Sequence, residues 1–162
     1  MTLTTLHSAS DPITLRRAGI SDVEGIVALL AADPLRSALE STADPDRDGY
    51  LRAFRAIDAD PAHLLVVGTN SDGAVVATLQ LTFLPGLARA GATRLQIEAV
   101  RVHADLRGLG VGGAMIEWAI GEGRRRGATL VQLTSDNSRL DAHRFYERLG
   151  FTASHTGFKL AL

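Results

Sequence analysis

The sequence predicts an α+β fold, an α/β/α sandwich around a mixed, mostly antiparallel sheet of about six to seven strands with one βαβ crossover. Two features of the sequence carry this prediction. Three strand-like runs follow one another before the glycine-rich segment, which favours antiparallel neighbours. A strand, a glycine-rich helix start and another strand then come in succession, which is the order of a parallel crossover.

The first elements are identified by their periodicity and by the residues that bound them. Ile13–Arg17 alternates apolar and polar residues, as a half-buried strand does. Apolar residues at helical spacing follow, with Ser21 as the candidate N-cap, and this helix is expected to end before Pro34. A less regular helical region is predicted between residues 34 and 61.

The remaining elements are bounded by turn residues. Two β-rich runs, 63–68 and 73–83, are separated by Asn70-Ser71-Asp72-Gly73, which suits the turn of an antiparallel hairpin. A strand over 95–102 precedes a helix that extends from the glycine-rich segment to Gly127, its candidate C-cap. The chain then ends with a strand, a short helix and one or two closing strands, over 130–134, 140–149 and 151–162.

Length and residue content bound the kind of protein. A chain of 162 residues, 46% of them hydrophobic, can bury the core of one domain without disulfides or a structural metal. We expect residues 12–162 to form this domain and the Ser- and Thr-rich residues 1–11 to be disordered. Cysteine is absent, which excludes a thiol nucleophile, and the five histidines lack ligand spacing, so no metal site is predicted.

The charge balance and the apolar runs disfavour other classes of protein. The 17 basic and 18 acidic residues nearly cancel, which argues against a nucleic-acid binder. No apolar run approaches the roughly 20 residues that a membrane-spanning helix needs, so no membrane partner is expected. The first residues contain no secretory signal, and we therefore expect a cytoplasmic protein.

Four glycines stand between a predicted strand and a predicted helix, at positions 108, 110, 112 and 113. Backbone N–H groups and the positive end of the helix favour an anion there. Gly108, Gly110 and Gly113 also fit the dinucleotide-binding G-x-G-x-x-G pattern. In a Rossmann fold that pattern lies close behind the first strand, whereas about one hundred residues precede it here. A P-loop is disfavoured because no Gly-Lys-Ser/Thr follows.

Two segments of the chain together resemble one known family. Arg107-Gly108-Leu109-Gly110-Val111-Gly112 resembles the R/Q-x-x-G-x-G/A signature of the GCN5-related N-acetyltransferases (GNAT), which bind acetyl-CoA through this loop. Residues 142–151, AHRFYERLGF, resemble the family's second signature, an aromatic-Tyr-Glu-x-Leu-Gly-Phe helix end. The resemblance covers the chain from about residue 13 to its end, apart from residues 33–60. It implies the GNAT form of the sandwich, with the crossover at the cofactor site.

The resemblance implies that acetyl-CoA is the co-substrate and names the residues that would hold it. The glycine loop would donate backbone N–H groups to the pyrophosphate, with Arg107 shaping the loop. The pantetheine arm would lie along the main chain of the fourth predicted strand, where an N–H could also hold the oxyanion. The cofactor-binding residues expected are thus Val100, Arg101, Val102, Arg107, Gly108, Leu109, Gly110, Val111, Gly112, Gly113 and Arg139.

The resemblance also implies two catalytic residues. An amine like that of lysine has a pKa of about 10.4 and needs a base at neutral pH, and Glu98 stands where many family members carry an acidic residue. The alternative is an idle glutamate paired with Arg94 or Arg101. Tyr146 matches the tyrosine that usually protonates the departing thiolate, and its alternative is packing in the core.

Two groups of basic residues have alternative interpretations. Arg139 stands where many family members have an asparagine that contacts the cofactor, so either Arg139 reaches a coenzyme phosphate or Asn137 substitutes through a different loop. Arg124, Arg125 and Arg126 suit either the adenosine 3′-phosphate or the negative end of a helix, and the helix-end interpretation is favoured.

The sequence therefore predicts an acetyl-CoA-dependent N-acetyltransferase that moves the acetyl group to a primary amine by direct transfer in a ternary complex. The alternative is a non-catalytic acyl-CoA-binding regulatory module. The expected partner is an amine acceptor, either a small molecule or a peptide or protein amine, and a homodimer is left open. Seven acidic residues against four arginines over 33–60 suit a cationic amine, but they equally suit a solvated loop.

Overall fold

The computed structural model of the protein describes residues 2–7, 11–33 and 47–162. One six-stranded sheet, with its strands in chain order, forms the centre of the fold. The first five strands pair antiparallel with their neighbours, and the sixth pairs parallel with the fifth. The strands are β1 (Thr2–Leu6), β2 (Ile13–Arg17), β3 (His63–Thr69), β4 (Val75–Pro85), β5 (Thr93–Val102) and β6 (Ala128–Leu133).

Helices cover both faces of this sheet. In the described residues the α-helices are α1 (Val23–Ala31), α2 (Arg47–Ala59), α3 (Ala88–Gly91), α4 (Val111–Arg125) and α5 (Leu140–Arg148). Alternate residues of β3 face opposite sides of the sheet, where two hydrophobic cores lie. Leu64 and Val66 belong to the larger core, together with residues of α4. Leu65 and Val67 belong to the smaller core, together with residues of α1 and α2. The sheet and its covering helices form the predicted sandwich, and β5, α4 and β6 form the predicted crossover.

The N-terminal segment is more ordered than the sequence predicts. Disorder is expected over residues 1–11, but Thr2–Leu6 forms β1, which pairs antiparallel with β2 and places Leu6 opposite Ile13. The side chain of Leu6 is buried in the larger core. Threonine is β-branched and favours strands, so the Thr-rich composition also suits an edge strand. Residues 8–10 lie outside the described part of the chain.

The start of the first helix differs from the predicted one. Ser21 lies in a 3-10 turn, Ile20–Asp22, and Asp22 is the N-cap of α1. Asp22 is buried, and its carboxylate accepts hydrogen bonds from the Arg16 guanidinium at 2.6 and 2.7 Å and from the Gly19 N–H at 2.7 Å. The Asp22 side chain makes no capping hydrogen bond to α1, so its carboxylate instead fixes Arg16 and the start of the 3-10 turn.

The C-terminal residues also depart from the prediction. One or two closing strands are expected over 151–162, but these residues, all of them described, form no strand. Phe151 packs against the larger core, whereas Phe158, Leu160 and Leu162 are exposed. Strand-like residues form a strand only where a neighbouring strand accepts and donates their backbone hydrogen bonds, and a local pattern does not report that neighbour.

The connection between α1 and α2 is described only in part. α2 lies within the helical region that the sequence predicts between residues 34 and 61. Residues 34–46 are outside the described chain. None of the described helices is long and apolar enough to cross a membrane.

Gly68 lets β2, β3 and β4 pack closely. A Cβ built on it would lie 2.9 Å from Ile13 Cγ2 and 3.1 Å from Ala77 Cβ, and neither atom is the end of a flexible side chain. We expect Gly68→Ala to lower the free energy of unfolding in urea by about 1–3 kcal/mol. Gly121→Ala is the control, because no heavy atom lies within 4 Å of a Cβ there, and it should stabilise helix α4 by up to about 1 kcal/mol. Equal effects of the two changes would contradict this packing.

Candidate active site

The sheet opens into a fork where β5 extends beyond the end of β6, and residues 98–102 of β5 form one arm of this fork. In the described chain β6 pairs with β5 from Thr93 to Ile97, and Leu133, the last residue of β6, lies opposite Ile97. The next residues of β5, 98–102, continue past this end while keeping their pairing with β4 on the other side. The main chain that the sequence predicts to contact the coenzyme therefore runs along one arm of the fork.

A β-bulge interrupts β5 at the base of the fork. Gln80 lies opposite Glu98 and Thr78 opposite Arg101, so three steps along β5 match two steps along β4. Ala99 has a φ of 51°, a left-handed backbone that is uncommon for a residue with a side chain. Because directly paired residues share a face, the bulge brings Glu98 and Arg101 to the same side of the sheet.

The glycine loop begins on the same arm of the fork and ends at α4. Gly108 and Gly110 have φ of 79° and 85°, in the left-handed region that glycine adopts without strain. Gly110 is the N-cap of α4, a helix of 15 residues. The first N–H groups of that helix have no partner within the helix, so the loop offers donors and a positive helix end to an anion.

A pocket of about 450 Å³ lies between this loop and the end of α5. Its lining includes six of the residues predicted to bind the coenzyme, which are Val102, Arg107, Gly108, Gly110, Gly112 and Gly113. The wall is completed by Leu106, Phe145, Arg148 and Leu149. The Val111 side chain points elsewhere, because it is fully buried in the larger core, and Leu109 is not among the lining residues.

Two arginines border the pocket. Arg107 Nε donates a hydrogen bond to Val102 O at 3.3 Å, so the side chain of Arg107 braces the loop against the end of β5. Arg148, which the sequence prediction missed, is exposed and lines the pocket with Phe145 and Leu149. These three residues follow the i, i+3, i+4 spacing of one helix face, and that spacing could have identified Arg148.

Tyr146 lies on α5 among aromatic side chains and is half-buried. Its ring centroid is 5.1 Å from that of Phe145 and 5.8 Å from that of Phe151, both edge to face. Burial raises the pKa of the Tyr146 phenol, while the Arg101 and Arg139 guanidiniums oppose that rise. At neutral pH the phenol is protonated and able to donate, and the same residue also packs in the core.

One buried carboxylate joins three elements around the site. Asp33 follows α1, and its Oδ2 lies 2.8 Å from Arg101 Nη2 on β5. The same oxygen accepts a hydrogen bond from Arg139 Nη2, immediately before α5. The sequence predicts a contact between Arg139 and the coenzyme, whereas the Arg139 guanidinium lies on Asp33 and is not part of the pocket lining. Sequence reasoning missed Asp33 because its partners are far away in the chain.

Glu98 is exposed on β5, at the base of the fork. The structural alternative for this residue is an ion pair with Arg94 or Arg101. The guanidinium of Arg101 is engaged by Asp33, which weakens the case for a pair with Arg101. A carboxylate on this open face can accept a proton from an incoming amine, either directly or through water.

Two of the three arginines at the end of α4 have structural contacts. Arg126 lies 3.8 Å above the ring centroid of Phe83 and donates a hydrogen bond to Pro61 O at 2.7 Å. Arg125 pairs with Glu122 of the same helix. Within the ranges that the structure describes, no group of three or more His, Cys, Asp or Glu side chains is arranged to hold a metal ion.

The profile of the "Acetyltransferase (GNAT) family" matches residues 29–151, which span the fork, the glycine loop and α5. The chain belongs to the GNAT family. The resemblance carried by the two sequence signatures is thereby confirmed, and so is the predicted fold class. As a GNAT protein the chain is an acyltransferase.

Similar proteins agree with this membership. Aminoalkylphosphonate N-acetyltransferase of Salmonella typhimurium is 32% identical over 148 residues, which cover 91% of this chain and 90% of the relative. A structure described as a transcriptional regulator from Bacillus halodurans C-125 is 41% identical, with a TM-score of 0.86 over 93% of this chain and 99% of that one. Glucosamine-6-phosphate N-acetyltransferase from Arabidopsis thaliana shares the fold, with a TM-score of 0.76, 22% identity and coverage of 92% and 97%. The GNAT chain is an N-acetyltransferase that moves an acetyl group to an amine.

Proposed function

We propose that this GNAT enzyme transfers the acetyl group of acetyl-CoA directly to the primary amine of a small molecule, within a ternary complex. The observation that carries the proposal is the fork in the sheet. There the arm of β5 that has left β6 runs into a pocket built on the N-terminus of α4. An extended thioester substrate with a pyrophosphate needs both an open strand edge and an anion site at one end of it.

Gly112 supports acetyl-CoA as the occupant of the pocket. A Cβ built on Gly112 would lie 3.7 Å from Phe145 Cζ and 3.8 Å from Val102 Cγ2, which are ordinary contact distances. The protein's own packing therefore does not require glycine at this position, but a ligand between Val102 and Phe145 would. When bound, acetyl-CoA supplies the activated acetyl thioester, and the loop N–H groups with Arg107 and Arg148 would hold its phosphates.

The chain offers one group for each proton that the reaction moves. Glu98 would accept the proton that the amine must lose before its nitrogen attacks the thioester carbon. A main-chain N–H of β5 near Val100 would hold the developing oxyanion. Tyr146 would give its phenolic proton to the sulfur as the carbon–sulfur bond breaks and its electron pair stays with sulfur. Since the chain contains no cysteine, direct attack by the amine is the simpler route.

For the acceptor we propose a small primary amine that also carries an anionic group. The relative from Salmonella typhimurium acts, by its name, on aminoalkylphosphonates. In this chain Arg101 lies on the same face of β5 as Glu98, with Arg139 beside it. The excess of acidic residues over 33–60 gives less support to a cationic amine as the acceptor, because one of these acids, Asp33, pairs with these two arginines.

Turnover over a panel of amines tests this acceptor class. Thiol release from acetyl-CoA is measured with 2-aminoethylphosphonate, ethanolamine and 1,3-diaminopropane, and the acetylated product is identified by mass spectrometry. We expect kcat/KM for the phosphonate to exceed that for either other amine by at least about tenfold, which corresponds to roughly 1.4 kcal/mol. A preference for the diamine would contradict the anionic acceptor and restore the cationic one.

One likeness favours a second function beside acetyl transfer, that of a regulator which responds to bound acetyl-CoA. The Bacillus halodurans structure that is 41% identical to this chain is described as a transcriptional regulator. A regulator would keep the pocket and its affinity for acetyl-CoA. Both functions therefore predict stabilisation of about 2.7 kcal/mol at 100 times the dissociation constant. Stabilisation without thiol release over the whole amine panel would favour the regulator.

The cytoplasmic location and the homodimer stay predictions.

A further inference from the structure

Asp33 lies at the site but has no part in the chemistry proposed above. Its side chain is 6% exposed, and a carboxylate so deeply buried is costly unless charged partners surround it. Its contacts include the guanidiniums of Arg101 and Arg139. These same two guanidiniums act electrostatically on Tyr146, Arg101 from β5 and Arg139 from the start of α5.

We propose that Asp33 is a positioning residue for proton donation by Tyr146: its carboxylate holds Arg101 and Arg139 where both guanidiniums stabilise the phenolate. The inference rests on the proposed function, in which Tyr146 protonates the sulfur. In that step the proton passes from Tyr146 Oη to sulfur, the carbon–sulfur bond breaks, and the phenolate regains a proton from solvent after the products leave.

The geometry explains why a shared carboxylate is needed. An arginine side chain samples many rotamers when it is free, and fixing it costs conformational entropy. Here Arg101 and Arg139 come from two different elements, and both contact the same oxygen, Asp33 Oδ2. One buried acid thus confines two cations to one place, next to the helix that carries Tyr146.

The environment of Tyr146 explains why the cations matter for the reaction. Burial raises the pKa of Tyr146 and so disfavours the phenolate, whereas the two guanidiniums act in the opposite direction. Interactions between charges are stronger in a partly buried site than in water. Loss of the cations would therefore leave an acid that gives up its proton less readily, and the departure of the thiolate would slow.

Titration of Tyr146 and turnover together test this role. The chain has only two tyrosines, so in a Tyr50→Phe background the tyrosinate absorbance at alkaline pH reports Tyr146 alone. Arg139→Gln removes one cation directly, and Asp33→Asn removes the charge that holds both. We expect both variants to move the titration of Tyr146 to higher pH and to lower kcat by about tenfold, with KM for acetyl-CoA within about twofold of the wild-type value.

The direction of the shift separates positioning from other roles of Asp33. If Asp33 were only a counter-charge, Asp33→Asn would move the titration to lower pH, because an anion has been removed while the cations stay. If the cluster only stabilised the fold, Asp33→Asn would lower Tm without moving the titration. Either result overturns the proposal, whereas restoration of the wild-type titration by Asp33→Glu supports it.

The same assay separates failure of this inference from failure of the proposed function. If Tyr146→Phe keeps wild-type turnover, Tyr146 is not the acid, and both proposals fail. If Tyr146→Phe loses turnover while Asp33→Asn and Arg139→Gln leave kcat and the titration unchanged, the positioning role alone is overturned.

Discussion

Gly112→Asp is expected to weaken the binding of acetyl-CoA by at least about a hundredfold, measured by isothermal titration calorimetry, while the protein stays folded. The new Cβ meets Phe145 Cζ at 3.7 Å and Val102 Cγ2 at 3.8 Å, so the chain itself accepts it. The added carboxylate, however, would face the coenzyme phosphates in the pocket, and juxtaposed like charges cost several kcal/mol. An aspartate in the first turn of α4 also suits the helix dipole, so Tm should not fall.

Gly121→Asp is the matched control for this change. Gly121 lies on the same helix, is exposed, and has no heavy atom within 4 Å of an added Cβ. The variant carries the same added charge outside the pocket, and its affinity for acetyl-CoA should stay within about twofold of the wild-type value. If Gly112→Asp bound acetyl-CoA as tightly as Gly121→Asp, the pocket beside the glycine loop would not be the coenzyme site.

Tyr146→Phe is expected to lower kcat by about a hundredfold or more, because general acids contribute factors of that size. Phenylalanine keeps the ring that packs edge to face on Phe145 and Phe151, so Tm and KM for acetyl-CoA should change little. Tyr50→Phe, the same change on α2, should leave kcat near the wild-type value. A Tyr146→Phe enzyme with wild-type kcat would leave the phenol without a catalytic role.

The pH dependence of kcat gives an independent reading of Tyr146. Burial raises the pKa of its phenol above the ordinary value. The acid is therefore fully protonated at neutral pH, and its contribution should be lost only as the pH rises through that raised pKa, above about 10. We expect the wild-type profile of kcat to fall on the alkaline side and this fall to be missing from the residual activity of Tyr146→Phe.

Most of the fold could be predicted because its signals are local. The alternation in Ile13–Arg17 and the helical spacing from Val111 onward show which side of each element is apolar. Both patterns are visible in residues that are neighbours in the sequence. The strand Thr2–Leu6 was harder to predict, because its stability comes from pairing with β2 and from burial of Leu6, neither of which is visible in a Thr-rich segment.

The part of the site that one continuous stretch of backbone forms could be predicted from the sequence. The parts that depend on contacts between residues far apart in the chain could not. The glycine loop is recognised from residues 107–112 alone. The bulge at Ala99 has no signal in the run LQIEAVRV, which looks like one continuous strand, since the bulge is a property of the pairing with β4. The contact between Asp33 and Arg139 spans 106 positions, so the sequence alone does not link the two residues.

A single-turnover reaction with acetyl-CoA labelled by deuterium in the acetyl group tests direct transfer most directly. Excess enzyme is mixed with labelled acetyl-CoA and 2-aminoethylphosphonate, and the amine, the coenzyme and the intact protein are followed by mass spectrometry. We predict that the labelled acetyl group appears on the amine at the rate at which free CoA forms, while the protein keeps its unmodified mass. Labelled acetyl on the protein before the amine, or intact acetyl-CoA with every amine of the panel, would contradict direct transfer.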